Sequence, residues 1–152
     1  MTTADSGGSA VVARMRADLG DAIRQRDQVR MDTIRMALDG FTLEEVNRNR
    51  AALSDQDRFA ILDKQIKQRL ESADIFKQAG RAELAAKETR EAEILRSYMP
   101  ARLSDDEVRE IVAKLIAEHG KEFRAVMPLA SKATKGLADG KRVSEIVREM
   151  TS

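Results

Sequence analysis

The sequence predicts an all-α protein, and three observations carry that prediction. Only two prolines interrupt 152 residues. Four Phe, one Tyr and no Trp leave the core to Leu, Ile, Val, Met and Ala, with 42% of residues apolar. Charged residues make up 35%, mostly types that helices tolerate. A chain of this length suits one domain or two small packed subdomains.

Apolar spacing places the helices in order. The first runs from near Ser9 to about Gln25, with Val12, Met15, Leu19, Ala22 and Ile23 on one side. A second spans about Asp27–Arg48, with Met31, Ile34, Leu38, Phe41 and Val46 inward. Whether the two form an antiparallel pair or one bent segment stays open. Ser54 with Asp57 makes a capping-box-like start for the third helix. Phe59, Leu62, Ile66, Leu70, Ala73 and Phe76 line its buried stripe, and Gly80 stops it. The fourth helix runs from Arg81 to Met99 with Leu84, Ile94, Leu95 and Tyr98 inward, and Pro100 ends it.

Beyond a Pro100–Leu103 hinge come three shorter helices. Ser104 to Glu107 is a full capping box, followed by Val108, Ile111, Val112, Leu115 and Ile116 at helical spacing, closing on His119-Gly120. A sixth helix, Glu122–Thr134, carries Phe123, Val126, Met127 and Ala130, with Pro128 predicting a kink or a later start. After Gly136 the last helix presents Val143, Ile146, Val147 and Met150, with Asp139 at its N-cap. The expected organisation is a disordered stretch 1–9, an N-terminal helical domain 10–99 and a C-terminal three-helix subdomain 100–152.

Little in the chain points to bond chemistry. Cysteine is absent, so neither disulfides nor thiolate metal sites can form. The single histidine, His119, sits where a helix dipole favours positive charge. There is no phosphate-cradling glycine motif. Glu88, Glu91 and Glu93 alternate with Lys87, Arg90 and Arg96, a pattern of surface ion pairs. No catalytic residue, metal site or cofactor is therefore expected. The N-terminus has no basic and apolar leader and no run is long enough to span a membrane, which predicts a soluble cytoplasmic protein.

Charge is the informative signal. The net charge is +1. Residues 1–53 carry eight basic and eight acidic side chains, and residues 54–99 nine of each. Residues 104–120 are acidic, two against five, whereas residues 121–142 reverse to six against two. That basic run holds Lys121, Arg124, Lys132, Lys135, Lys141 and Arg142, with Gly136 and Gly140 shaping the turn between helices. Clustered cations neutralise phosphates and release counterions. Glycine at 136 permits a tight turn that could bring backbone amides to a phosphate. Aromatic interleaving is missing, so a structured RNA read by shape fits better than a stacked single strand.

Three segments, Arg26–Leu38, Lys67–Val108 and Lys132–Val147, resemble the GatB/YqeY family, through the motifs AGR…L..YMP..LS..E and KG.ADGK.V..IV. The resemblance implies an N-terminal helical part and a C-terminal three-helix subdomain. It also implies kinship with the tRNA-associated tail of the B subunit of tRNA-dependent aspartyl/glutamyl amidotransferase. That enzyme's activation chemistry lies in a larger domain with no counterpart here. On the family motif, Lys135-Gly136 and Gly140-Lys141, flanked by Lys132 and Arg142, fall where tRNA could face. Arg124 and Pro128 stand where the family often has small residues, and Leu137 where a basic one is common.

The expected function is a non-catalytic, tRNA-associated accessory protein. The alternatives are an adaptor docking on an amidotransferase or aminoacyl-tRNA synthetase, and an auxiliary part of glutamine-dependent carbon–nitrogen ligation.

Overall fold

Helix starts are fixed by side chains that satisfy the orphan amides of the first turn. In the computed structural model, which describes residues 9–152, the chain is all α-helical. The helices are α1 (Ala10–Gln25), α2 (Gln28–Asn47), α3 (Asp55–Gln78), α4 (Ala82–Arg96), α5 (Asp105–His119), α6 (Phe123–Thr134) and α7 (Gly140–Thr151). They divide into two compact units, Met1–Met99 and Pro100–Ser152.

Ser9 caps α1, its hydroxyl accepting from the Val12 amide at 3.1 Å and donating to Asp55 at 2.6 Å. It is buried, so it is an ordered anchor and not part of the disordered stretch expected for 1–9. The rest of that stretch, 1–8, lies outside the described residues.

Between α1 and α2 the chain breaks at Arg26, which adopts φ 57. Its amide and that of Asp27 return to the Ala22 and Ile23 carbonyls. This resolves the open alternative in favour of two separate helices, which pack on each other. Asp27 then caps α2 through one carboxylate oxygen and accepts from Arg90 of α4 at 2.8 Å through the other.

Within the N-terminal unit, α3 and α4 form the most extensive helix pair, and α2 packs against both. The capping box at Ser54 and Asp57 is closed in both directions. At the hairpin turn Gly80 takes φ 75, a conformation that favours glycine. The core joins Val12, Met15, Ile34, Phe41, Leu62, Ile66, Leu95 and Tyr98.

Four positions expected to face inward are exposed: Ile23, Val46, Leu70 and Leu84. Helical spacing marks a face, but burial requires a neighbour over that face. The fourth helix breaks a second expectation. Glu91 is buried at 5% exposure, on the same inward stripe as Ala92, Leu95 and Tyr98. Glu88 stands one turn earlier, 3.8 Å from Arg69 of α3. These two are therefore part of the α3–α4 interface, not a solvated face, while Glu93 is exposed.

In the C-terminal unit α5, α6 and α7 each pack on the other two. Val108, Val112, Val126, Ala130, Val143, Ile146 and Val147 form a continuous aliphatic centre. The capping box at Ser104 and Glu107 sets the start of α5. The Leu103 amide donates to the Leu137 carbonyl at 2.9 Å, tying the approach to α5 to the turn between α6 and α7. Pro128 neither delays nor ends α6, which starts at Phe123 and continues to Thr134 with the proline inside it. Asp139 occupies the N-cap of α7, but its side chain makes no capping bond.

Burial holds the Glu91 carboxyl above its ordinary value of 4.5, opposed by the nearby Arg69. Because the folded value is raised, the associated stability is present below 4.5 and is lost as pH rises through the folded value. Glu91→Gln should therefore melt higher than the parent at pH 7, with the gap closing as pH falls toward 4.5. Fluorescence of Tyr98, the one tyrosine, reads this transition in the N-terminal unit. An equal or lower melting point for the variant at pH 7 would refute the account.

Candidate nucleic-acid interface

Each of α6 and α7 has 12 residues, so their ends stand roughly 18 Å apart along an axis. The five-residue turn 135–139 joins them, and Phe123 at the far end of α6 lies under Arg148 of α7, 5.1 Å from ring centre to guanidinium. The two helices therefore run side by side and opposed. This geometry divides the basic run into two poles. Lys132, Lys135, Gly136, Gly140, Lys141 and Arg142 gather at the turn, and Lys121 with Arg124 lies at the other end.

The apolar stripes explain why the cations face out. Val126, Ala130 and Thr134 of α6 and Val143, Ile146 and Val147 of α7 are buried, which leaves Arg124, Lys132, Lys135 and Lys141 exposed, together with Lys121 ahead of α6. Among the described residues, Lys121, Arg124, Lys135 and Lys141 have no carboxylate within ion-pair distance.

Arg142 differs. Its Nε donates to both Asp105 oxygens at 3.2 Å, its Nη2 to Oδ2 at 2.9 Å, and its Nη1 reaches Glu145 at 3.4 Å. Hydrogen bonding to Arg142 pulls Asp105 below the ordinary carboxylate value, and the same bond raises Arg142. The residue is thus a clasp between the start of α7 and the start of α5, with its charge answered by two acids. Sequence proximity to Lys141 placed it in the basic face, but its side chain turns to α5.

The turn also departs from the sequence reading. Gly136 takes φ 77, as a tight turn requires. The amides that follow, Leu137 and Ala138, both donate to the Thr134 carbonyl, at 2.8 and 3.1 Å. They close the turn and are not presented to a ligand. The start of α7 is more open: no side chain caps it, and Lys141 stands in its first turn, where the helix dipole favours an anion.

One further cation belongs to the set. Arg148 lies seven residues after Lys141, so the two share a face of α7. It extends the basic surface from the turn to the Phe123 end. The i, i+7 spacing was the available signal, missed because the basic count stopped at Arg142.

Residues 12–151 match the Yqey-like protein family. This chain belongs to that family. Similar proteins in fungi are named altered inheritance of mitochondria protein 41, mitochondrial. The one from Pyrenophora tritici-repentis is 28% identical, covering 93% of this chain and 81% of its own length. The one from Clavispora lusitaniae is 29% identical over 72% of this chain and 64% of its own. The one from Lachancea thermotolerans is 33% identical over 70% of this chain and 58% of its own. The expectation of a cytoplasmic protein is corrected by these family members, which are mitochondrial by name. Among the described residues no helix is long and apolar enough to cross a membrane.

The clasp has an acid limit. The Ser104 amide and hydroxyl hold Glu107 below its ordinary 4.5, as Arg142 holds Asp105 below 3.8. Both folded values are depressed, so the stability they confer is present above those ordinary values and is lost as pH falls through the lowered ones. Asp105→Asn should flatten the acid-side loss of α5 and α7 amide protection, followed by hydrogen exchange between pH 5 and pH 3 (about the carboxylate range). An unchanged profile would show that the clasp carries no acid sensitivity.

Proposed function

We propose that this protein is a tRNA-associated accessory factor whose C-terminal unit binds the phosphate backbone of folded RNA without catalysing a reaction. The carrying observation is that Lys121, Arg124, Lys135 and Lys141 are exposed with no carboxylate partner among the described residues. Cations left unpaired within a fold retain their charge for an external anion. Two poles about one helix length apart suit several phosphates of a structured RNA better than one small anion. Lys132 and Arg148 widen the basic surface, and the uncapped start of α7 adds oriented amides beside Lys141.

An adaptor role is the second reading. It draws on Leu70, Ile75 and Leu84 of the α3–α4 hairpin, which are 36%, 65% and 38% exposed. The partners considered are an amidotransferase or an aminoacyl-tRNA synthetase. Capture of either that survives nuclease treatment would favour this reading over direct RNA contact.

Purified protein should retard tRNA in a gel-shift assay, with affinity falling steeply as salt rises. Lys135→Glu with Lys141→Glu, and separately Lys121→Glu with Arg124→Glu, should each weaken binding by about tenfold or more and reduce the salt slope by roughly two. Arg142 is excluded from the test because its loss would disturb Asp105. Parent-level affinity in the variant carrying all four changes would overturn the proposal.

A further inference from the structure

We propose that a cleft in the N-terminal unit, formed by Arg14, Asp18, Arg30, Arg90, Ile94 and Tyr98, binds a small molecule through one oxyanion group, a carboxylate or a phosphate monoester. The cleft is an open surface depression with a volume of about 510 Å³, within the size range of small-molecule sites. Its residues come from α1, α2, α4 and the turn that follows α4, and nothing in the C-terminal unit contributes to it.

The arrangement of donors carries the inference. Tyr98 is 4% exposed and its hydroxyl donates to Asp18 at 2.6 Å. Asp18 is thereby engaged, and Arg30 approaches it only to 3.6 Å, beyond hydrogen-bond length. Arg90 reaches Asp27 at 2.8 Å through one nitrogen and remains half-exposed. Arg14 has no carboxylate partner among the described residues; its guanidinium is held over the Tyr98 ring, 4.8 Å from the centroid. A guanidinium carries several N–H donors in a planar fork, and that fork matches a carboxylate or phosphate edge. Three such groups with most donors unused therefore border one concave space.

A purely structural network accounts for less of this. Ion pairing that ties α1, α2 and α4 together would explain Arg30 and Arg90, and the Tyr98 ring holds Arg14 in place, but it leaves the N–H donors of Arg14 without a carboxylate among the described residues. The charge balance also narrows the ligand. Asp18 and Glu93 line the cleft beside the three arginines. Arg30 faces Asp18 and Arg90 is paired with Asp27, which leaves Arg14 as the guanidinium with no carboxylate partner among the described residues. The Asp18 and Glu93 carboxylates would repel a polyphosphate chain, whereas a single oxyanion can be met by the fork of Arg14. The half-buried Ile94 supplies an apolar patch for the body of the ligand.

Phenyl phosphate and benzoate carry the same apolar body on the two candidate groups, and benzamide is their neutral counterpart. With the full chain, calorimetry should show saturable binding of one or both anions, one per molecule, and at least about tenfold weaker binding of benzamide. NMR should show the Arg14 and Arg30 side-chain Nε–H signals shifting on titration. Binding of only one anion supports the site and identifies its group. Arg14→Ala, at an exposed residue with no hydrogen bond of its own, should cut affinity about tenfold, and Arg14→Lys should fail to restore it. Arg24→Ala on the same helix, whose side chain is paired with Asp21, should leave binding intact, as should the Lys135→Glu and Lys141→Glu pair. Failure of the RNA proposal would thus leave this one standing, and the reverse. No saturable anion binding at millimolar ligand, equal binding of benzamide, or an unaffected Arg14→Ala variant would overturn it.

Discussion

Burial of Val126 and Ala130 of α6 with Val143, Ile146 and Val147 of α7 dictates where the charged residues of the C-terminal unit can stand. A helix has one circumference. Once an apolar stripe is fixed against a neighbour, the polar positions are fixed with it. The basic surface is therefore a by-product of core packing, and its two-pole shape follows from helix length and the turn at Gly136. A small unit of this kind has little margin, since a core of a few aliphatic residues must offset the ordering of three helices.

Charge in the chain is not the same as charge available. Residues 1–99 contain as many acidic as basic side chains, and many are joined: Arg58 with Asp55, Arg48 with Glu44 and Asp57, Lys67 with Asp63, Arg90 with Asp27. In the basic run Arg142 alone is shown held by two acids, while four neighbours have none in reach. Apart from that of the buried Arg58, pairs of this sort lie at or near the surface and contribute modestly to stability, being screened by water and salt. Their larger effect is to remove a charge from the surface field.

How much was legible in the sequence follows from the range of each interaction. Caps are local, so Ser54 and Ser104 could be read directly, and helix bounds came within a few residues, whereas Ser9 was assigned to a disordered stretch because its burial and its bond to Asp55 are non-local. Asp139 stood where a cap was expected, but the side-chain bond did not form, because position alone does not orient a carboxylate. Burial is non-local. Ile23, Val46, Leu70 and Leu84 satisfy helical spacing yet lack a covering neighbour, whereas Glu91 takes an inward position beside Arg69 that composition alone would assign to solvent. Two carboxylates near one guanidinium read the same on a surface as in an interface.

The basic run could be seen because its members are close in sequence, and for the same reason it was overdrawn. Adjacent residues on a helix point about 100° apart, so Lys141 and Arg142 meet different surroundings, solvent for one and α5 for the other. Arg148 is distant in sequence yet shares a face with Lys141. The cleft around Tyr98 lies at the opposite extreme, since Arg14, Arg30 and Arg90 come from three helices and no spacing rule connects them. Its assembly depends on the break at Arg26 and on Asp27, which both caps α2 and receives Arg90. A single residue in the left-handed conformation thus separates α2 from α1 so that the two pack on each other, in a unit where side chains some eighty positions apart in sequence, Asp18 and Tyr98, close on one another.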